Sequence, residues 1–264
     1  MKFTKMHGLG NDYLYVYGEV PGNAAELSKK LSERHLGAGS DGMIYISKSS
    51  IADFKMRIFN ADGSEAKMCG NGIRCVGKYV YDKGYTDKKF LSIETLSGVK
   101  YLTLQIAGGK VKTVAVDMGQ AKAEKPINLT VDGETVSLIP VSVGNPHAVI
   151  FVDDIEKAPL TKLGPIIEHH EAFPDGVNVE FVEVLGADKL RMRVWERGSG
   201  VTMACGTGAC ASVMAAIAAK LFHYDETVSV LLDGGTLKIQ IAPDNTVQMT
   251  GPAETVYEGE TEIC

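Results

Sequence analysis

Short apolar runs, several of them alternating with polar residues, recur from one end of the chain to the other. Tyr13-Leu14-Tyr15-Val16-Tyr17, Met43-Ile44-Tyr45-Ile46 and Tyr101-Leu102-Thr103-Leu104-Gln105-Ile106 lie in the first half. Val149-Ile150-Phe151-Val152, Val179-Glu180-Phe181-Val182 and Leu237-Lys238-Ile239-Gln240-Ile241 lie in the second. Their β-branched and aromatic content, broken by Gly, Asp and Asn, predicts strands. Gly108-Gly109 and Asp233-Gly234-Gly235 have the composition of hairpin turns. Helical periodicity is rarer. One helix is predicted from Asn71-Gly72 through Ile73, Val76 and Val80, with Gly84 as its stop. Another, Gly208 to Leu221, is apolar or small on nearly every face and so is expected to be buried all round. Shorter helices are expected at Ala24–Glu33 and Leu160–His170.

The same pattern occurs twice. Met56-Arg57-Ile58-Phe59-Asn60 and Met192-Arg193-Val194-Trp195-Glu196 are offset by 192 − 56 = 136 residues. Cys69-Gly70-Asn71-Gly72 and Cys205-Gly206-Thr207-Gly208 share that offset. Gly10-Asn11 and Asp41-Gly42 recur as Gly144-Asn145 and Asp175-Gly176 at an offset of 134. A chain of 264 residues could hold one large domain or two small ones, and the repeat decides for two. The expected fold is α+β, two pseudo-symmetric domains that each wrap a mostly antiparallel sheet around a central helix. Residues 1–116 form the first and 117–251 the second, with the last strand, 252–264, returning to the first. Active sites often lie between such halves.

Net charge is −6, and no basic run exceeds Lys88-Lys89. A nucleic-acid partner is therefore not expected, since neutralising phosphates takes a basic stripe. The longest small-and-apolar stretch, Ala209 to Ala219, is too short for a membrane span of about 20 residues. Met1–His7 carries no apolar signal core. Five cysteines without a dense framework fit a reducing, cytoplasmic setting in which they are free thiols.

Each Cys-Gly-x-Gly lies at the mouth of a predicted helix, where unpaired N–H groups and the positive dipole end gather. Such a site is expected to lower a thiol pKa towards neutrality and to attract a carboxylate. The glycines let a ligand approach the backbone. Two matched thiols can remove a proton from one face of a carbon and return one to the other. Cys75, Cys210 and Cys264 read instead as small buried hydrophobes. No metal site is expected: five residues separate Cys69 from Cys75, and the spacing of Cys205 and Cys210 falls across a helix start.

These motifs, with Lys5-Met6-His7-Gly8-Leu9-Gly10-Asn11-Asp12, Phe59-Asn60-Ala61-Asp62-Gly63-Ser64-Glu65, Gly144-Asn145-Pro146-His147 and Glu196-Arg197-Gly198, run almost the length of the chain. In that order they resemble the diaminopimelate epimerase family. The resemblance implies interconversion of LL- and meso-2,6-diaminopimelate in lysine and peptidoglycan precursor biosynthesis, without pyridoxal phosphate or any other cofactor. It implies that Cys69 is the base towards the LL substrate and Cys205 the base towards the meso form.

The residues that read the substrate would be Asn11, Asn60, Asn145, Asn178, Glu196 and Arg197. Arg197 suits the remote carboxylate as a bidentate fork, and Glu196 the α-ammonium. The α-carboxylate would lie over Gly70, Asn71 and Gly72 and over Gly206, Thr207 and Gly208. His147 is implied to sit near one catalytic cysteine, where a thiolate–imidazolium pair is consistent. The resemblance also implies a homodimer. One departure is Gly42, where some relatives carry a glutamine that contacts substrate. The rival within the fold is racemisation of an amino acid such as proline, which has no distal carboxylate for Arg197. A thiol redox or metal-binding protein is the rival from another class.

Overall fold

The apolar runs become the inner strands of two units in the computed structural model, which describes residues 1–263. Cys264, read above as a buried hydrophobe, lies outside the described residues. One unit is Met1–Val116 together with the segment that begins at Gly251, and the other is Asp117–Thr250.

The first carries β1 (Lys2–Gly8), β2 (Asn11–Tyr17), α1 (Ala24–Ser32), β3 (Gly42–Ser47), β4 (Phe54–Asn60), β5 (Glu65–Ala66), α2 (Gly70–Asp82), β6 (Phe90–Thr95) and β7 (Gly98–Ala107). The chain passes along β8 (Lys110–Gln120) into β9 (Lys122–Ala123), β10 (Ile127–Val131), β11 (Glu134–Ser142), β12 (Pro146–Phe151), α3 (Leu160–Glu168), β13 (Asn178–Gly186) and β14 (Lys189–Glu196). There follow β15 (Gly200–Val201), α4 (Gly206–Ala218), β16 (Thr227–Leu232), β17 (Gly235–Ile241) and β18 (Thr246–Pro252). Finally β19 (Glu254–Glu260) pairs antiparallel with β1, from Lys2↔Glu260 to His7↔Glu254.

The two units use one plan. In the first, β2–β3 and β4–β6 are parallel while β1–β2, β3–β4, β6–β7 and β7–β8 are antiparallel. In the second, β12–β13 and β14–β16 are parallel while β11–β12, β13–β14, β16–β17 and β17–β18 are antiparallel. Registers keep the sequence offsets: Ile44↔Ile58 repeats as Glu180↔Val194, and Leu14↔Met43 as Ala148↔Val179. The α+β class and the mostly antiparallel pairing follow the sequence expectation.

Helices α2 and α4 have 13 residues each and are buried along nearly their whole length. Ile73, Val76 and Val80 of α2 are fully buried, and each contributes roughly 1.5–3 kcal/mol. Both helices begin earlier than predicted, at Gly70 and Gly206, because a cysteine caps each one. Both end in one motif. The N–H groups of Tyr85 and Gly84 donate to the carbonyls of Val80 and Tyr81, and those of Leu221 and Lys220 to Ala216 and Ile217. Gly84 takes φ +77°, and its counterpart Lys220 takes φ +62°. Because Lys220 lacks the glycine signal, the sequence carried α4 too far, to Leu221.

Candidate active site

Cysteine fills the cap position where Ser, Thr, Asp or Asn is usual. Cys69 (φ −139°, ψ 115°) and Cys205 (φ −113°, ψ 112°) are both extended, and each sulfur accepts the third helical N–H. The Gly72 N–Cys69 Sγ and Gly208 N–Cys205 Sγ distances are both 3.3 Å. Those third N–H groups therefore serve the sulfurs rather than a carboxylate. Glycine is required there for packing. A Cβ on Gly72 would stand 2.7 Å from Ile44 Cδ1, and one on Gly208 2.7 Å from Glu180 Oε1.

Around the half-buried Cys69, the thiol donates to Asn11 Oδ1 at 3.3 Å, and Asn11 Nδ2 donates to Asp41 Oδ2 at 2.8 Å. Burial, followed by the nearby Cys69, pushes the Tyr13 phenol well up. Asn60 Nδ2 donates to Ser64 Oγ at 3.0 Å. Asn71 is buried, and its Oδ1 accepts from Arg74 Nη2 at 3.0 Å. Arg74, fully buried, also donates to the carbonyls of Gly70 and Pro252, both at 3.1 Å. It fixes the mouth of α2 against the end of β18, a role the sequence did not reveal. Gly42 takes φ +156° with Phe59 O only 2.2 Å from a would-be Cβ, so no side chain fits where relatives were expected to carry glutamine.

Cys205 is buried and in different company. Thr207 Oγ1 lies 3.5 Å from its sulfur, and Asn145 Nδ2 donates to that hydroxyl at 3.3 Å. Asn145 Oδ1 is 3.1 Å from His147 Nε2, while His147 Nδ1 is 2.7 Å from Glu180 Oε1. Glu196 lies near Cys205 and accepts from the Thr202 hydroxyl. Burial holds its carboxyl above the usual glutamate range. Asn178 is also buried. Its Nδ2 donates to Pro146 O at 3.0 Å and its Oδ1 accepts from Arg197 N at 3.0 Å, so it steadies the Arg197 backbone. The Arg197 side chain is exposed, with Nη1 on Asp175 O at 2.7 Å and its stem over Gly176.

Two expectations are corrected. The helix terminus was expected to lower both thiols, yet Cys205 is raised well above its ordinary value by burial and then by the charges of Glu196 and Glu180. The Thr207 hydroxyl and the Gly208 N–H pull the other way and lose. His147 was expected beside a cysteine as an imidazolium partner. Its Nδ1 meets Glu180 Oε1 and its Nε2 meets Asn145 Oδ1, and it reaches Cys205 through the Asn145–Thr207 link. The sequence also missed Glu180. Its signal was an acid inside an apolar strand run, at the position equivalent to Ile44 since 180 − 136 = 44. Among the described residues no group of three or more His, Cys, Asp or Glu forms a metal cage. No described helix is long and apolar enough to cross a membrane.

Fold and site define a class: a duplicated α+β protein with one helix-capping cysteine in each repeat. Its fold is shared with a hydroxyproline epimerase from Agrobacterium vitis, with a TM-score of 0.72 at 17% identity over 98% of this chain and 91% of that one. Within that class the chain belongs to the diaminopimelate epimerase family, whose model matches residues 3–124 and 139–256. It is 50% identical to the diaminopimelate epimerase of Acetivibrio thermocellus over 100% of this chain and 99% of that protein. With the Methanococcus maripaludis enzyme the identity is 51% over the full length of both.

Proposed function

We propose that this protein interconverts LL- and meso-2,6-diaminopimelate for lysine and peptidoglycan precursor synthesis, with Cys69 and Cys205 as the two acid–base residues. Family membership supports the substrate. The observation that carries the chemistry is the twinned cap, two sulfurs each receiving a helix N–H at 3.3 Å. In the LL-to-meso direction Cys69 takes the α-proton and Cys205 returns one from the opposite face. Burial and two carboxylates keep Cys205 as a thiol, which suits the donor. An α-ammonium arriving at Glu196 cancels part of that field, which eases Cys205 towards thiolate for the reverse reaction.

No cofactor delocalises the carbanion in this reading, so positioning and electrostatics supply the rate. The first N–H groups of α2 and α4 bear on the α-carboxylate as charge moves onto it. Asn11, Asn60, Asn145 and Glu196 supply the polar contacts, and Asn178 holds Arg197 in place for the distal carboxylate. Proline racemisation is disfavoured because proline would leave Arg197 without a partner. The same reading carries a cytoplasmic homodimer, which light scattering of the purified protein tests.

The deciding experiment is incubation with LL-diaminopimelate in D₂O without added cofactor. Early meso product is expected to carry deuterium at the inverted centre while remaining LL substrate stays mostly protiated. Substrate exchange faster than inversion, or a requirement for pyridoxal phosphate, defeats the reading.

A further inference from the structure

The two repeats differ most beneath the sulfurs. In the first, Ile44 packs under Gly72, and Tyr13 occupies the β2 position equivalent to His147. In the second, the corresponding residues are Glu180 and His147, an acid and a base, both essentially without solvent contact. Glu180 Oε1 is 2.7 Å from His147 Nδ1, and Glu180 Oε2 is buried with no hydrogen-bond partner. A carboxylate in that state is costly. Stability does not demand it, because the same fold position accepts isoleucine in the first repeat.

What Glu180 does demand is a proton on His147 Nδ1, since a carboxylate only accepts. The ring is thereby oriented, with Nε2 3.1 Å from Asn145 Oδ1, an acceptor to which the ring donates when both of its nitrogens carry protons. From Asn145 the contacts run to Thr207 Oγ1 and so to the Cys205 sulfur. We propose that Glu180 is a positioning residue for the Cys205 half of the reaction, fixing His147 and, through the Asn145–Thr207 link, making the two thiols chemically unequal. The inference rests on the reading of Cys205 as an acid–base residue. Cys205 faces His147 from β12, Glu180 from β13, Glu196 from β14 and the mouth of its own helix α4. Of these groups Glu180 alone has no other evident task. It also adds to the field that raises the thiol, after burial and Glu196.

The test uses the full-length protein and three variants, Glu180→Gln, Glu180→Asp and Glu180→Ile. Iodoacetamide labelling is followed against pH, and each cysteine is quantified by peptide mapping. In Glu180→Gln the labelling midpoint of Cys205 is expected to fall by about one pH unit, the scale of one nearby charge removed, while that of Cys69 stays put. ¹⁵N NMR of labelled histidine should show Nδ1 of His147 protonated in the wild type, and less so in Glu180→Gln and Glu180→Ile. With diaminopimelate, kcat should drop about 10- to 100-fold in Glu180→Gln with KM changed less than about 2-fold. Glu180→Asp should fall between it and the wild type. An unmoved Cys205 midpoint with an unchanged His147 tautomer overturns the inference, as does an equal shift at both cysteines. If Glu180→Gln does not fold, Glu180→Asp carries the same labelling and NMR comparison, and behaviour identical to wild type in both overturns the inference. Failure of the underlying reading shows separately, as turnover surviving in Cys205→Ala.

Discussion

Gly72→Ala and Gly208→Ala make the same change at equivalent positions, and the structure expects unequal costs. Each variant gains up to about 1 kcal/mol of helix propensity, and each new methyl meets an atom at 2.7 Å. At Gly72 that atom is Ile44 Cδ1, the free end of an aliphatic side chain. Relief by rotation or a small shift is ordinary overpacking, about 1–3 kcal/mol. At Gly208 the atom is Glu180 Oε1, which is itself bound to His147 Nδ1 at 2.7 Å. Moving it strains or breaks the His147 hydrogen bond of a buried carboxylate, at about 3–5 kcal/mol when that charge is left unpartnered. The net loss is then roughly 0–2 kcal/mol for Gly72→Ala and roughly 2–4 kcal/mol for Gly208→Ala. Urea unfolding at neutral pH reads the difference directly through the shift in midpoint at constant slope. A Gly208→Ala protein as stable as Gly72→Ala would show that the Glu180–His147 contact yields freely, and the reasoning would fail.

Replacing either catalytic candidate by alanine, Cys69→Ala or Cys205→Ala, should abolish epimerisation at a stability cost of only about 0.5–2 kcal/mol, that of a lost cap. Cys75→Ala should retain most activity, and a tenth of wild-type rate in Cys205→Ala refutes the two-thiol assignment. Arg197→Lys should lose about 2–4 kcal/mol in kcat/KM, because an ammonium cannot make a bidentate fork; wild-type kinetics would move the distal carboxylate elsewhere. Burial pulls the Glu168 carboxyl upward, but donation from Trp195 Nε1 at 2.6 Å and Gly198 N at 2.7 Å outweighs it and holds it below the ordinary glutamate value. A depressed folded pKa gives stability that is present above the unfolded value of about 4.5 and is lost as pH falls through the folded one. Trp195 is the chain's one tryptophan, so its emission should shift in that acid range and be unchanged there in Glu168→Gln; an identical shift in both proteins refutes the link.

Much of this molecule can be read from short-range pattern. Strand runs, hairpin glycines and the α2 stop at Gly84 are local signals, and the structure has them where the residues say. The cysteine caps were legible too, because Cys-Gly-x-Gly after an extended run leaves little else for the chain to do. Less could be read where distant segments meet. Glu180 lies 25 residues before Cys205, and only the β13–β14 pairing brings it and Glu196 towards one sulfur. The proton affinity of Cys205 therefore depends on burial and on two strands, whereas the sequence argument saw only the helix end. Asn178 shows the same limit. Its residue type suits a ligand contact, and only the fold shows that its amide also ties Pro146 O to Arg197 N.

The two copies of the repeat give their cysteines unequal surroundings. Duplication would give two equal thiols, and equal thiols make a poor acid–base pair, since at any moment one must hold a proton and the other must lack it. A symmetric site would have to be polarised by the substrate alone. Here the first repeat sets Asn11, itself bonded to Asp41, and the Tyr13 phenol near Cys69, with Ile44 beneath Gly72. The second surrounds Cys205 with Glu196 and the Glu180–His147 pair. Burial first, and then Glu196 and Glu180, raise the proton affinity of Cys205. Divergence at positions 44 and 180, and at 60 and 196, thus gives two matched helix caps different electrostatic surroundings.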